Sequence, residues 1–308
     1  MSVARASGHP DYSSAGNSKF INEIWSGKMQ AKWYRDTHLS ETTNNDYEGE
    51  IKDSGDKVYI RAIPTVTVND YYKGKKLTYE RPESTAIELL IDKAKDWGCI
   101  VDDIDNVQSD VNMFDMFTND AVEQMKIAIE YAVYTTIYNQ CDSSNCGATA
   151  GAISAGFNLG ASTAPVQITK ANIIDYIVDC GTVLDEQNIP EDGRWMVIPA
   201  WMAGMLKKSD LKDASMTGDG TSPLRNGRLG MIDRFTLYRS NNLYSLTDTV
   251  TCWYVPFGHP KATTFASQIV KSETLRATDT FGDIVRGLNV YGFKVVNDDA
   301  LGMLYVRR

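Results

Sequence analysis

Apolar and polar positions along the chain fall into blocks of different period. The clearest is NMFDMFTNDAVEQMKIAIEYAVYTTIYNQ, 112–140, which contains neither Gly nor Pro. Phe114, Phe117, Ala121, Met125, Ala128, Ala132 and Thr135 recur in steps of three and four, and a second apolar line runs through Val122, Ile129, Val133 and Ile137. That period predicts a helix of about 28 residues, roughly 42 Å long at 1.5 Å per residue. Asp110 or Asn112 is placed to cap its start. Phe20, Ile24, Trp25, Met29 and Trp33 predict a shorter amphipathic helix over 20–36. A third helix is expected over 170–188, capped by Thr169 and containing Ile173, Ile177, Val178 and Leu184. Pro199 opens a fourth in AWMAGMLKK, as proline does at a first helical position, and Phe281–Arg286 reads as a short fifth.

Other blocks alternate or are rich in β-branched residues. KVYIRAIPTVTV (57–68) and LTYERPESTAIELLI (77–91) flank the turn-like NDYYKGKK and predict a long β-hairpin. Pro64 and Pro82 break its ladder. Further strands are expected at 97–104, 194–198, 231–239, 250–255, 260–276 and 288–296, with loops at 141–167 and 213–228. Strands and helices mix without regular βαβ alternation, so the expected class is α+β. Two segments cannot satisfy themselves. The 20–36 helix lies between polar stretches, and a two-stranded ribbon is marginal alone in water; both need another surface.

Composition narrows the function classes. The 308 residues are 43% hydrophobic, enough for a substantial core. No run approaches the roughly 18 apolar residues of a membrane span, and the first 16 residues lack the apolar stretch of a secretory signal. The net charge of −9 is unevenly spread: +2 over 1–40, −7 over 41–110, −6 over 111–260 and +2 over 261–308. This excludes a strongly basic nucleic-acid binder. The basic patch Lys73, Lys75, Lys76 and Arg81 sits inside an acidic segment, either as a solvated loop or as a contact for an acidic neighbour. Sixteen Tyr and six Trp against nine Phe suit surfaces buried against something else, as well as the protein's own core.

Candidate chemistry is sparse. Three histidines, His9, His38 and His259, leave little room for imidazole catalysis. Five cysteines, an odd count, suggest free thiols in a reducing compartment. Cys141 and Cys146 are close, but a structural zinc site needs four soft ligands. Ser154 in Ala152-Ile153-Ser154-Ala155-Gly156 is the nearest approach to a nucleophile elbow, with Ala where the motif wants Gly. Ser54-Gly55-Asp56-Lys57 matches S-x-x-K without its companion motifs. Asp102, Asp103 and Asp105 lack the glycine turn and distal glutamate of a calcium loop. Thr217–Thr221 reads as a turn, and no phosphate-cradling loop is present. No catalytic, cofactor or metal residue is assigned.

The ordered segments resemble tailed-phage major capsid proteins of the Johnson, or HK-ninety-seven-like, fold. Phe20-Ile21-Asn22-Glu23-Ile24-Trp25-Ser26 resembles the opening of that family's N-arm. Asp46–Ile51 and Gly55–Val58 resemble the start of its extended E-loop, and Val66–Tyr71 and Leu77–Glu80 the loop's two sides. Leu90–Lys95 and Val101–Ile104 resemble the return into the peripheral domain, and 112–140 takes the place of the spine helix. Val183–Ile198 with Pro199-Ala200-Trp201, then Gly227–Asn242, resemble the axial domain. Phe265–Ile269, Phe281-Gly282-Asp283, Gly287 and Tyr291-Gly292 resemble the closing peripheral run.

The resemblance implies an N-arm over 1–46, an E-loop hairpin over 47–92, and a peripheral domain with spine helix over 93–146. It further implies an axial domain over 147–250, then return strands and a closing peripheral segment over 251–308. The implied role is mechanical: a subunit that assembles as hexamers and pentamers into an icosahedral or prolate shell around double-stranded DNA. Inter-subunit contacts are expected from Trp25, Trp33, Tyr71, Tyr72, Lys73, Lys75, Lys76 and Arg81. N-arm text beginning by residue 20 implies a separate scaffolding protein. Implied further partners are a portal protein, DNA held by non-specific contact, and a cement protein, with assembly in the host cytoplasm. Loops 141–167 and 213–228 are the expected variable contacts at the symmetry axes. A nanocompartment shell packaging an enzyme, and a hydrolase built on Ser154 or the aspartate cluster, are the competing readings.

Overall fold

The computed structural model describes residues 32–47, 57–104, 113–209 and 230–308. Along the chain run α1 (Leu39–Thr42), β1 (Lys57–Arg61), β2 (Ala86–Leu90), β3 (Lys93–Asp102) and α2 (Met113–Ile137). Next come β4 (Val166–Gln167), α3 (Ile173–Glu186), β5 (Trp195–Ile198), α4 (Ala200–Leu206), β6 (Met231–Ile232), β7 (Phe235–Arg239) and β8 (Ser245–Thr247). β9 (Thr251–Gly258), β10 (Thr263–Arg276), β11 (Gly282–Val295) and β12 (Leu301–Arg307) complete the chain.

These strands form three sheets. A mixed seven-stranded sheet has the order β4-β12-β9-β5-β7-β6, with β8 paired to β9. A three-stranded antiparallel sheet has the order β10-β11-β3, and β1 and β2 form a two-stranded ladder. In the large sheet β5 shows why its sequence lacks alternation. Trp195, Met196, Val197 and Ile198 are all buried, because both faces of this strand are covered. Met196 and Ile198 meet Ile173, Ile177, Cys180 and Leu184 of α3, with Met202 and Leu206 of α4. Trp195 and Val197 meet Ile129, Val133, Tyr134 and Ile137 of α2, with Tyr291, Phe293 and Leu301. The sheet thus separates two cores, and α2 joins it to the three-stranded sheet through the second one.

Arg194, immediately before β5, is fully buried. Its guanidinium donates to the carbonyls of Gly181, Ile189 and Pro190 and to the Asp185 carboxylate, 2.7 Å away. A buried cation tolerates this position because every guanidinium nitrogen donates a hydrogen bond, one of them to a carboxylate. The result is a rigid α3–β5 connection, helped by Asn188 and Gly193 at positive φ (58° and 79°).

Several expectations change. The segment 231–239 is two strands with a tight turn at Asp233-Arg234, both at positive φ (45° and 66°), the geometry that a two-residue hairpin demands. Residues 281–286, expected as a helix, enter β11; pairing with both β3 and β10 overrides the short helical pattern. Thr169 does not cap α3: Asn172 is its N-cap, and the Asn172 side chain instead accepts the Thr169 N–H. Pro199 stands at the N-cap of α4, one residue earlier than expected. The long helix is 113–137, and its expected caps Asp110 and Asn112 lie outside the described residues. Of the expected 20–36 helix only 32–36 is described, and that part is irregular. The loop 213–228 and Thr217–Thr221 also lie outside the described residues. Among the described residues no helix is long and apolar enough to cross a membrane.

Candidate assembly surfaces

Three surfaces project apolar or charged residues that the subunit itself does not cover. The first is the β1–β2 hairpin. Its ladder runs from Lys57↔Leu90 to Arg61↔Ala86 and gains one bond, Ala62 N–H to Thr85 O, before stopping short of Pro64 and Pro82. Beyond that point no regular ladder continues through 63–84, since each proline removes a donor and nothing packs on the ribbon. The base is different: Ile60, Leu89 and Ile91 pack with Ala266 and Val290 of the three-stranded sheet. The Leu90–Ile91 backbone crosses so close over Gly292 that a Cβ there would meet the Leu90 carbonyl. The hairpin is therefore fixed at its root and free at its tip.

The expected contact residues fall largely on this tip. Tyr71 and Tyr72 are exposed, with Lys73, Lys76 and Arg81, while Lys75 is half-buried. Lys75 Nζ donates to the Asp70 carbonyl and sits 5.8 Å from the Tyr72 ring centroid, closing a turn with Gly74 at φ 92°. Sequence reasoning passed over the apolar part of the same surface. Ile63, Val66, Val68, Leu77 and Tyr79 are exposed too, Ile63 and Val68 almost completely at 96% and 94%. The signal was present as continuous β-branched text on both sides of a turn. An apolar loop this open marks a contact surface.

The second surface is the arm, 32–43. Trp33 is 91% exposed; Trp25 lies outside the described residues. Lys32 pairs with Asp120 on α2, and Arg239 with Asp36 at 3.1 Å. The anchor is Glu130, a wholly buried carboxylate in the middle of α2. It accepts the His38 backbone N–H at 2.9 Å and the Asn242 side-chain amide at 2.7 Å. Burial raises the Glu130 pKa above the ordinary carboxyl range, while these hydrogen bonds and the nearby His38 charge oppose the shift. Beside it the Tyr134 hydroxyl meets Thr42 Oγ1. The arm's root is thus tied to the spine helix and to 239–242, while Trp33 projects from it uncovered.

The third surface is the far end of the three-stranded sheet. Leu275, Ile284 and Ile100 stand opposite one another across β10, β11 and β3, so they share one face. Leu275 and Ile100 are exposed, as are Ile104 and Phe281. Arg276 bridges Asp103 and Asp283 and clamps this end, holding the Asp103 carboxyl below its usual range. Asp103 is therefore an ion-pair partner, and Asp102 accepts the Ile104 N–H; Asp105 lies outside the described residues. Ser154 sits in a turn where its N–H and that of Ile153 donate to Glu186 at 3.1 and 2.8 Å. These bonds, with one from the Ser154 hydroxyl, hold the Glu186 pKa down. His259 Nδ1 is occupied by the Lys261 N–H.

Residues 90–306 match the family described as phage capsid protein. The chain belongs to the phage capsid protein family. It is a major capsid protein, a subunit of a multimeric phage shell, and its place is the virion capsid. No curated protein matches it. A structure from Mycobacterium phage Che8 is similar at 29% identity and TM-score 0.73, covering 92% of this chain and 96% of that one. The capsid structure of the cyanophage P-SCSP1u is 13% identical at TM-score 0.72, covering 98% and 97%. The capsid of Ralstonia phage GP4 is 13% identical at TM-score 0.62, covering 99% and 97%. Likeness at such low identity speaks to the fold, in which the mixed helix and sheet capsid architecture persists across dissimilar sequences. The nanocompartment and hydrolase readings are not favoured.

Proposed function

We propose that this capsid protein builds an icosahedral or prolate shell of hexamers and pentamers around double-stranded DNA, using the hairpin tip and the arm as its reach onto neighbours. One observation carries this reading. Loop 63–84 holds seven exposed large apolar or aromatic residues, Ile63, Val66, Val68, Tyr71, Tyr72, Leu77 and Tyr79, on a root fixed by Ile60, Leu89 and Ile91. A monomer gains nothing from presenting them, whereas a neighbour buries them. The cluster Lys73, Lys75, Lys76 and Arg81 then meets acidic surface of an adjacent subunit, drawn from a chain of net charge −9.

The domain reading follows the same lines. Residues 1–46 act as N-arm, 47–92 as E-loop, 93–146 as peripheral domain with spine helix, 147–250 as axial domain, and 251–308 as the return. It is supported by β9 and β12 lying in the large sheet while β10 and β11 pair with β3. Trp25 and Trp33 act as arm contacts, and the row at Leu275, Ile284 and Ile100, exposed at its two outer residues, supplies a further contact between copies. Loops 141–167 and 213–228 carry contacts that differ between five- and six-fold environments. The role is structural rather than enzymatic. A separate scaffolding protein, a portal protein and a cement protein complete the assembly, which proceeds in the host cytoplasm. An acidic wall contains DNA through weak, non-specific contact.

Negative-stain microscopy of purified material tests the reading. The wild type should give uniform closed shells. Reversing Lys73, Lys75 and Lys76 to Glu should give folded subunits and few shells. Normal shells from the triple variant would remove the charge contact from the proposal.

A further inference from the structure

Four tyrosines form one internal cluster near the C-terminal end of the spine helix. Tyr138 stacks on Tyr244 at 5.5 Å, Tyr254 lies 4.9 Å from each, and Tyr305 meets Tyr254 at 5.1 Å. Cys141, Cys146 and Cys252 pack into the same cluster with Met303. The chain between the first two cysteines doubles back. Asp142 caps a single 3-10 turn, Ser143–Asn145, by accepting the Ser144 N–H at 2.6 Å. The Asn145 amide donates to the carbonyls of Asp299 and Leu301 at 2.6 and 3.1 Å, which fixes the turn against the start of β12. Cys146 then forms a bridge with Met303. Both cysteine side chains thereby pack against the same buried set, Cys252, Tyr254 and Met303. Each also faces a nearby carbonyl, Cys141 that of Tyr138 at 3.4 Å and Cys146 that of Asp142 at 3.5 Å. Both are half-buried free thiols.

We propose that Cys141 and Cys146 are a modification site, a thiol pair that a low-molecular-weight disulfide oxidises to an intrachain disulfide. The pair is asymmetric. The interaction of the two thiols lowers the pKa of Cys146 and favours its thiolate, while that interaction and burial raise the pKa of Cys141. Cys146 thiolate attacks one sulfur of the reagent, forming a mixed disulfide and expelling the first thiolate. Cys141 then loses its proton to that thiolate and attacks the Cys146 sulfur, expelling the second. One reagent disulfide is reduced to two thiols, and the protein loses two hydrogens. The product ties the end of α2 to the residue that bridges to β12. The third cysteine of the cluster is a poor competitor: Cys252 is buried, and desolvation pushes its thiol up to about 11. The thiols meet an oxidant after release if the shell is built in a reducing cytoplasm. That timing rests on the proposed assembly site, whereas the pairing does not.

The test uses assembled shells purified under reducing conditions and then exposed to oxidised glutathione. Trypsin leaves both cysteines on one peptide, residues 127–170. After alkylation and mass spectrometry, this peptide should have lost two hydrogens and taken up no alkylating agent, with Cys99 still alkylated and dithiothreitol reversing the change. In Cys141→Ser shells the expected product is glutathione retained on Cys146, because the resolving thiol is gone. Full alkylation of both cysteines, a stable glutathione adduct in the wild type, or a bond to Cys252 would each overturn the proposal. Shell formation is read separately by microscopy, so failure of the thiol chemistry and failure of the shell reading are distinguishable.

Discussion

The seven-stranded sheet and the β1–β2 hairpin are built from similar residue types and treat them in opposite ways. In β5 Trp195, Met196, Val197 and Ile198 are all buried, because α3 and α4 cover one face and α2 the other. In 63–84 the Ile, Val and Tyr side chains are exposed, because no layer of the same subunit lies over them. The difference is one of address. The sheet's apolar surface stabilises the subunit, and the hairpin's is left for another copy. A capsid protein needs both, since it must fold before it assembles.

The largest effect separating the two regions should come from deleting 69–78. The subunit should keep its circular dichroism spectrum and melting behaviour yet form no shells; normal shells would show the tip to be dispensable. Phe257→Ala, in the core at 0% exposure, should do the reverse. It should cost roughly 3–5 kcal/mol of subunit stability in denaturant unfolding. A loss under about 1 kcal/mol would mean that this core is less closely packed than its burial implies.

Glu130 joins the two behaviours, because it is buried for the sake of the arm. Glu130→Ala leaves the His38 N–H and the Asn242 amide without their acceptor and should cost about 1–3 kcal/mol. The pH dependence has a defined sign. With the folded pKa raised, the group's stabilising contribution is fully present below the unfolded carboxyl pKa and is lost as pH rises through the folded value. The difference in stability between wild type and Glu130→Gln should therefore move against the wild type as pH rises across that window. A pH-independent difference would show that Glu130 titrates normally. The smallest effect is expected from Lys75→Glu. Subunit stability should change by no more than about 0.5 kcal/mol, while the salt dependence of assembly, followed by light scattering, should weaken.

The sequence exposed much of this arrangement through pattern. The α2 period, the strand text at 194–198 and the interrupted hairpin were legible because local spacing and final environment agree. The second apolar line of α2 is the buried one at Ile129, Val133 and Ile137. Where environment overruled spacing, sequence reading failed: 281–286 became strand by pairing on two sides, and 231–239 became a hairpin through two residues at positive φ. The tyrosines divide similarly. Tyr71, Tyr72 and Tyr79 are exposed as seam material would be, while Tyr138, Tyr244, Tyr254 and Tyr305 form an internal cluster that no spacing announced.

The sequence by itself determined the class, the long helix and the segments too isolated to bury themselves, because these follow from residue period and from how much apolar surface each stretch carries. It also supplied the ordered text by which the capsid family could be suspected. Tertiary structure alone decided which apolar surfaces are covered and which carboxylate is buried under the arm. Those outcomes depend on contacts between residues far apart in sequence, such as His38, Glu130 and Asn242, and local pattern carries no record of them.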